Sequence, residues 1–163
     1  MTFFLNPLSR NIKQLEKFIE FMKIENIQLS CESNPNELFF LKYFPKETYD
    51  PILFAEFCIK HNIPINLDTS HIGAWNYDIV LFYKKYHENI NLMHLSDMTK
   101  SKQHLPFRKG ILPLMDLFKA MNELSYKGVV VFEISTFPKG TSQKDKQKEL
   151  KKNVAMLKSI VFH

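Results

Sequence analysis

A chain of 163 residues, 45% hydrophobic and 24% charged, has apolar material for one core and is too short for two ordinary domains, so residues 1–163 are read as a single domain. No run approaches the ~18 apolar residues that a membrane span needs, and Met1 to Leu8 is too short and too weakly basic for a secretory signal. That sets the expectation of a cytoplasmic protein without membrane contact, whose net charge of +5 lies wholly in residues 139–158, seven lysines against Asp145 and Glu149.

In chain order, short β-rich runs alternate with longer helical ones. "TFFLNP" (2–7) is a possible strand, and Ile12, Leu15, Phe18, Ile19 and Met22 then fall on one stripe of a helix over 11–23. "IQLSCES" (27–33) reads as the second strand. A helix of uncertain start follows in "PNELFFLKYF", and a clearer one spans 51–61. "IPINLDTS" (63–70) is the third strand, with a helix near 77–87 after it. "NINLMHLSD" (89–97) is the fourth, followed by a polar loop to Gly110, a helix near 112–124, the turn "YKG" and the strand "VVVFEIS" (129–135). In the last segment Leu150, Val154, Leu157 and Val161 keep helical spacing. Its lysines are therefore read as the wet face of a terminal helix, contact with phosphate being the other reading. Cys31 and Cys58 sit inside apolar segments at no metal-ligand spacing and are read as buried, reduced thiols. Regular βα alternation implies parallel strands and an α/β architecture.

Four strands end on residues able to bind a metal: Glu32, Asp68, His94 and Glu133. Strands of a parallel sheet all finish on one edge, so these side chains converge if each points to the same face. Alternation permits that. Gln28, Ser30 and Glu32 share a face of their strand, as do Asn66 and Asp68, Leu92 and His94, and Val129, Val131 and Glu133. A carboxylate at a strand end is commonly a helix N-cap or a surface charge. Three carboxylates and an imidazole ending four apolar strands serve no packing purpose, because unpaired carboxylates near a core cost several kcal/mol unless a cation compensates them. The donor set suits one Mn²⁺, Mg²⁺ or Zn²⁺ ion, its oxygen excess favouring a hard ion.

"CESNP", "LDTSH", "MHLSD", "HLPFRKG" and "VVVFEIS", in this order, resemble the C-terminal part of the xylose isomerase-like TIM-barrel superfamily. That superfamily includes sugar isomerases, ketose 3-epimerases and nucleases of the endonuclease IV type. The resemblance spans residues 27–135 and extends to the final helix. It implies that Glu32, Asp68, His94 and Glu133 match the ligands of a single-metal isomerase or epimerase site. It also implies a substrate- or metal-binding role for His71 and a pocket role for His104. Lys100 and Arg108 bracket His104 and are candidate neutralisers of a phosphate or a sugar oxygen.

A full eight-stranded barrel takes about 250 residues. The expected fold is therefore an incomplete barrel of four to five parallel strands without the N-terminal ones, its open edges covered by a second copy or by a complementary N-terminal half-barrel. The expected activity is isomerisation or epimerisation of a sugar-like hydroxy-carbonyl compound, with Glu32 and Glu133 exchanging the proton. Two alternatives stand beside it. One is a non-catalytic half-barrel that binds or assembles. The other is a nuclease fragment, for which a partner must supply ligands: no histidine precedes His61, and Lys102 stands two residues before His104, where the resemblance calls for an aspartate.

Overall fold

The structure, a computed structural model, describes residues 12–35 and 50–161. The expected strand at 2–7 and the helix within 35–44 lie outside the described residues, apart from Pro35 itself. Helix α1 runs Ile12–Ile24, β1 Cys31–Glu32, α2 Pro51–Lys60, β2 Ile65–Asp68 and α3 Thr69–Ala74. Next come α4 Ile79–Tyr86, a 3-10 turn at His87–Asn89, β3 Ile90–Leu95, β4 Asp97–Thr99 and β5 Lys102–Leu105. The chain closes with α5 Leu114–Glu123, β6 Val129–Phe132 and α6 Gln143–Val161.

Four strands form one parallel sheet in the order β1-β2-β3-β6. Strands that neighbour one another in chain order, all parallel, make the arc of a barrel wall rather than a doubly wound sheet. Along β3, Met93 and Leu95 are buried while Leu92 and His94 are only partly so. Along β6, Val129 and Val131 are exposed while Val130 and Phe132 pack on the core. The period of two thus divides the sheet into a helix-covered face and an open one. Leu67, Met93 and Leu95 on the covered face join Ile72, Ile79, Tyr83, Leu117, Phe118 and Met121, each at most 2% exposed. Full burial of one large apolar side chain contributes about 1.5–3 kcal/mol, so this layer fixes the sheet whose far side carries the polar residues. Cys31 and Cys58 are buried free thiols.

Two departures from the sequence reading matter for the site. The third strand stops at Asp68 instead of Ser70, because the Asp68 carboxylate accepts from the backbone N–H groups of Ser70 and His71 and starts α3 there. His71 consequently sits on a helical turn and not in a loop. The segment expected as polar loop between 98 and 110 contains an antiparallel hairpin, with Asp97 opposite Leu105 and Thr99 opposite Lys102. Asp97, 1% exposed, anchors the far end of that segment by accepting from the N–H groups of Met98, Gly110 and Leu112. Gly110 lies so close beneath it that a Cβ would fall 2.1 Å from the Met98 carbonyl oxygen.

Candidate metal centre

At the C-terminal edge of the sheet, Glu32 closes β1, Asp68 closes β2, His94 is the penultimate residue of β3, and Glu133 follows β6 by one residue. Lateral register places them: Asp68 lies beside His94 and His94 beside Val131, while the Glu133 N–H bonds to the Leu95 carbonyl. Each of the four offers a ligand atom, and these atoms all lie within 4.8 Å of one another. His94 Nδ1 stands 2.7 Å from Glu133 Oε2, 3.1 Å from Glu32 Oε2 and 3.9 Å from Asp68 Oδ2.

These approaches do not amount to a closed hydrogen-bond network. Asp68 Oδ2 and His94 Nδ1 are buried and have no hydrogen-bond partner. The two oxygens of Asp68 differ in kind: Oδ1 accepts from Ser70 N, Ser70 Oγ and His71 N at 2.7, 2.8 and 3.0 Å, and Oδ2 faces the cluster unused. A buried carboxylate oxygen without a hydrogen bond, and an imidazole nitrogen that meets only carboxylate oxygens, are what a divalent cation would satisfy. The residues present therefore fit the ion.

Around the four stands a supporting layer. His71 Nδ1 lies 2.9 Å from the Ser33 carbonyl oxygen and 2.8 Å from Glu32 Oε1. A carbonyl can only accept, so Nδ1 carries a hydrogen and Nε2 is the nitrogen left for other partners. Asn66, beside Glu32 in the register, donates its amide to Glu32 Oε2 at 2.5 Å. His104 reaches the pocket from β5. Its ring meets that of His71 edge to face at 5.7 Å, and its Nδ1 lies 3.4 Å from Ser70 Oγ and 3.5 Å from Ser96 Oγ. Its backbone φ of 56° is left-handed, and its carbonyl accepts from Ser135 and Thr136, tying the hairpin to the segment after Glu133. Lys100 and Arg108 are exposed, and no hydrogen bond or ion pair joins either to the cluster among the described residues.

Burial alone would raise the Glu32 carboxyl, but its contacts with His71 and then His94 hold it down at about 2. Burial disfavours charge on His71 as well, yet the bond to Glu32 and the charge of Asp68 lift it to about 9. Glu133, with 42% of its side chain exposed, is pushed up by burial and by Asp68. The two glutamates thus differ: one pinned and acidic, the other freer and more basic. In the metal-free chain the stability from raised His71 is complete below pH 6.5 and disappears as pH rises through about 9. That from depressed Glu32 is complete above pH 4.5 and disappears as pH falls through about 2. Urea unfolding of the metal-free chain is expected to show Glu32→Gln less stable than wild type at pH 5.5, with the gap narrowing by pH 9.5. A gap independent of pH would mean that the pair does not carry it.

The four proposed ligands and His71 and His104 are thus gathered at one place, while Lys100 and Arg108 stay apart from it. Sequence reading assigned no role to Asn66, Ser70 or Ser96. For Asn66 the signal was present, since it alternates with Asp68 toward the open face; for the serines there was none.

An arc of parallel strands with a possible metal site at its C-terminal edge defines a protein of the α/β-barrel class. The chain belongs to the xylose isomerase-like TIM barrel family, which matches residues 8–160. Among solved structures it is similar to D-psicose 3-epimerase from Clostridium cellulolyticum H10, with TM-score 0.74 and 13% identity over 94% of this chain and 56% of that one. It is also similar to a D-tagatose 3-epimerase-like protein, with TM-score 0.67 and 19% identity over 93% and 55%. A third is the 3-keto-D-glucoside 4-epimerase from E. coli, with TM-score 0.66 and 14% identity over 93% and 52%. At these identities the likeness is one of fold. The chain spans about half the length of these proteins. No curated protein matches it by sequence. No helix among the described residues is long and apolar enough to cross a membrane.

Proposed function

We propose that the chain is the metal-holding part of a divalent-metal-dependent sugar isomerase or epimerase. The observation that carries this reading is the convergence of four ligand atoms within 4.8 Å of one another, with Asp68 Oδ2 and His94 Nδ1 buried and making no hydrogen bond. Glu32, Asp68, His94 and Glu133 would hold one ion, with Mn²⁺ or Mg²⁺ favoured over Zn²⁺ by the oxygen-rich donors. When bound, such an ion polarises the carbonyl and neighbouring hydroxyl of a ketose-like substrate. The remaining work falls to the chain. Glu32 and Glu133 come from the two outer strands of the sheet, so they flank a substrate carbon from opposite sides, one removing its proton and the other returning it. His71, held at Nδ1, turns Nε2 to a substrate oxygen, and His104 shares that side of the pocket. Lys100 and Arg108 remain proposed contacts for a charged substrate group at longer range. The test is metal content: after incubation with Mn²⁺ and dialysis, about one ion per chain is expected, and a chain that retains none ends the reading.

A second reading, a binding or assembly subunit without activity of its own, draws on the chain's span of about half the length of its structural neighbours. Both readings need the open face covered. Val129 is 55% and Val131 41% exposed there, and the outer edges of β1 and β6 pair with no strand among the described residues. A second copy or a complementary N-terminal half-barrel would cover them. Sedimentation at micromolar concentration is expected to show association, and a folded chain that stays monomeric would remove the dimer.

A further inference from the structure

Two of the three carboxylates in the cluster turn only one oxygen toward its centre. In Asp68, Oδ1 is occupied by the N–H groups of Ser70 and His71 and by the Ser70 hydroxyl, which leaves Oδ2. In Glu32, Oε1 lies 2.8 Å from His71 Nδ1, while Oε2 accepts from the Asn66 amide at 2.5 Å and stands 3.1 Å from His94 Nδ1. Both ends of the Glu32 carboxylate are therefore gripped. It cannot rotate to bring both oxygens to the centre without breaking one of those contacts. Glu133, with 42% of its side chain exposed, is under no such restraint.

The grip from Asn66 has no second purpose in the structure. His71 also bonds the Ser33 carbonyl, and Asp68 Oδ1 also starts a helix. Asn66 is 2% exposed and lies beside Glu32 in the register of β1 and β2. An ionised carboxylate only accepts, so the amide must face it with Nδ2. Oδ1 is then buried without a partner, and the amide cannot turn to find one without releasing Glu32. The residue thus gives up satisfaction of its own oxygen to hold a neighbour.

The number of oxygens on offer bears on the choice of ion. With Glu32 and Asp68 held to one oxygen each, the chain supplies those two, at most two from Glu133, and the His94 nitrogen. A small ion with about six ligands can complete its shell from there with substrate or solvent oxygens. Ca²⁺ takes about 6–8 oxygens, commonly both oxygens of one carboxylate, in a flexible shell. Freeing Glu32 would add an oxygen and favour the larger ion.

We propose that Asn66 is a positioning residue for ion choice: its hold on Glu32 keeps that carboxylate to one oxygen and makes the centre prefer Mn²⁺ to Ca²⁺. The inference rests on the metal-dependent reading above. Calorimetric titration of the chelator-treated full chain with Mn²⁺ and with Ca²⁺ tests it, beside urea unfolding of the metal-free chain. The variants are Asn66→Leu and Asn66→Ser, which differ in size and polarity and share only the loss of a donor that reaches Glu32. Where one fails to fold, the other carries the test. Wild type is expected to bind Mn²⁺ more tightly than Ca²⁺, and each variant to lower that ratio by at least about tenfold, the scale of losing a ligand's supporting partner. Asn66→Leu is expected to resist urea at least as well as wild type, because it removes the orphaned oxygen. Equal weakening of both ions, an unmoved ratio, or a wild type without preference overturns the proposal. Mn²⁺ binding with an unmoved ratio ends this inference alone, whereas a wild-type chain that binds neither ion ends the metal reading and the inference with it.

Discussion

Replacing Asp68 by asparagine is expected to remove most of the chain's divalent-metal affinity while leaving helix α3 in place. The two carboxylate oxygens do separate jobs. Oδ1 caps the helix through Ser70 and His71, and Oδ2 faces Glu32, His94 and Glu133 without a partner. An asparagine keeps an acceptor for the cap but sets an amide nitrogen, or a neutral oxygen at best, where the ion would sit. Loss of even a supporting interaction costs about 10-fold in metal affinity, and loss of a direct ligand costs more. Asp68→Ala removes the cap as well, which costs about 0.5–2 kcal/mol of stability. Mn²⁺ titration and urea unfolding, run side by side, separate the two roles. Asparagine should lose metal and keep stability, whereas alanine should lose both. Wild-type Mn²⁺ affinity in Asp68→Asn would exclude Asp68 as a ligand.

Glu133→Gln is expected to abolish proton exchange while leaving the fold intact. Glu133 is the freer of the two glutamates: 42% of its side chain is exposed, it lies one residue beyond β6, and no backbone N–H among the described residues bonds to its carboxylate. An amide of the same shape cannot accept a proton. General acid–base groups typically contribute 10²–10⁴-fold to rate, which sets the size of the loss. The observable is deuterium uptake from D₂O at a sugar carbon beside the carbonyl, compared between wild type and variant at equal metal content. Undiminished uptake by the variant would take Glu133 out of the proton-transfer role. Loss of metal together with uptake would make it a ligand first.

Glu32, Asp68, His94 and Glu133 were legible because a strand alternates with period two and every parallel strand ends on the same edge. Knowing where four apolar runs stop was enough to bring the four together. The end of β2 was not legible, because a local side-chain cap competed with strand continuation and Asp68 serves as both ligand candidate and cap. The β4–β5 hairpin escaped because "TKSKQ" contains neither the glycine nor the asparagine that marks a tight turn, and its residues carry no apolar alternation. The left-handed backbones of His104 and Arg108, at φ 56° and 63°, redirect the chain as it leaves the hairpin. Lys102 and Lys109 line a cavity with Thr136 and Phe137, although Lys100 and Arg108 were the cations picked out by spacing. The contact of Asn66 with Glu32 depends on register between strands, which one strand's own sequence does not carry.

The open face also bears on how this fold tolerates change. Barrel interiors are usually packed by branched apolar side chains, and the β6 end of the sheet conforms, with Val129 and Val131. Toward β1 the same face carries Asn66 and a Ser30 hydroxyl bonded to Asn91 across β2. Asn66 is 2% exposed, and its Oδ1 has no partner, which an interior selected for stability alone would not keep. An apolar residue of similar size there would relieve the unsatisfied oxygen and firm the bare scaffold, yet it would free the Glu32 carboxylate to turn. Thermal tolerance and the aim of one carboxylate therefore pull against each other at a single position, and a search for hardier variants of this chain would drift toward a sturdier but blunter site.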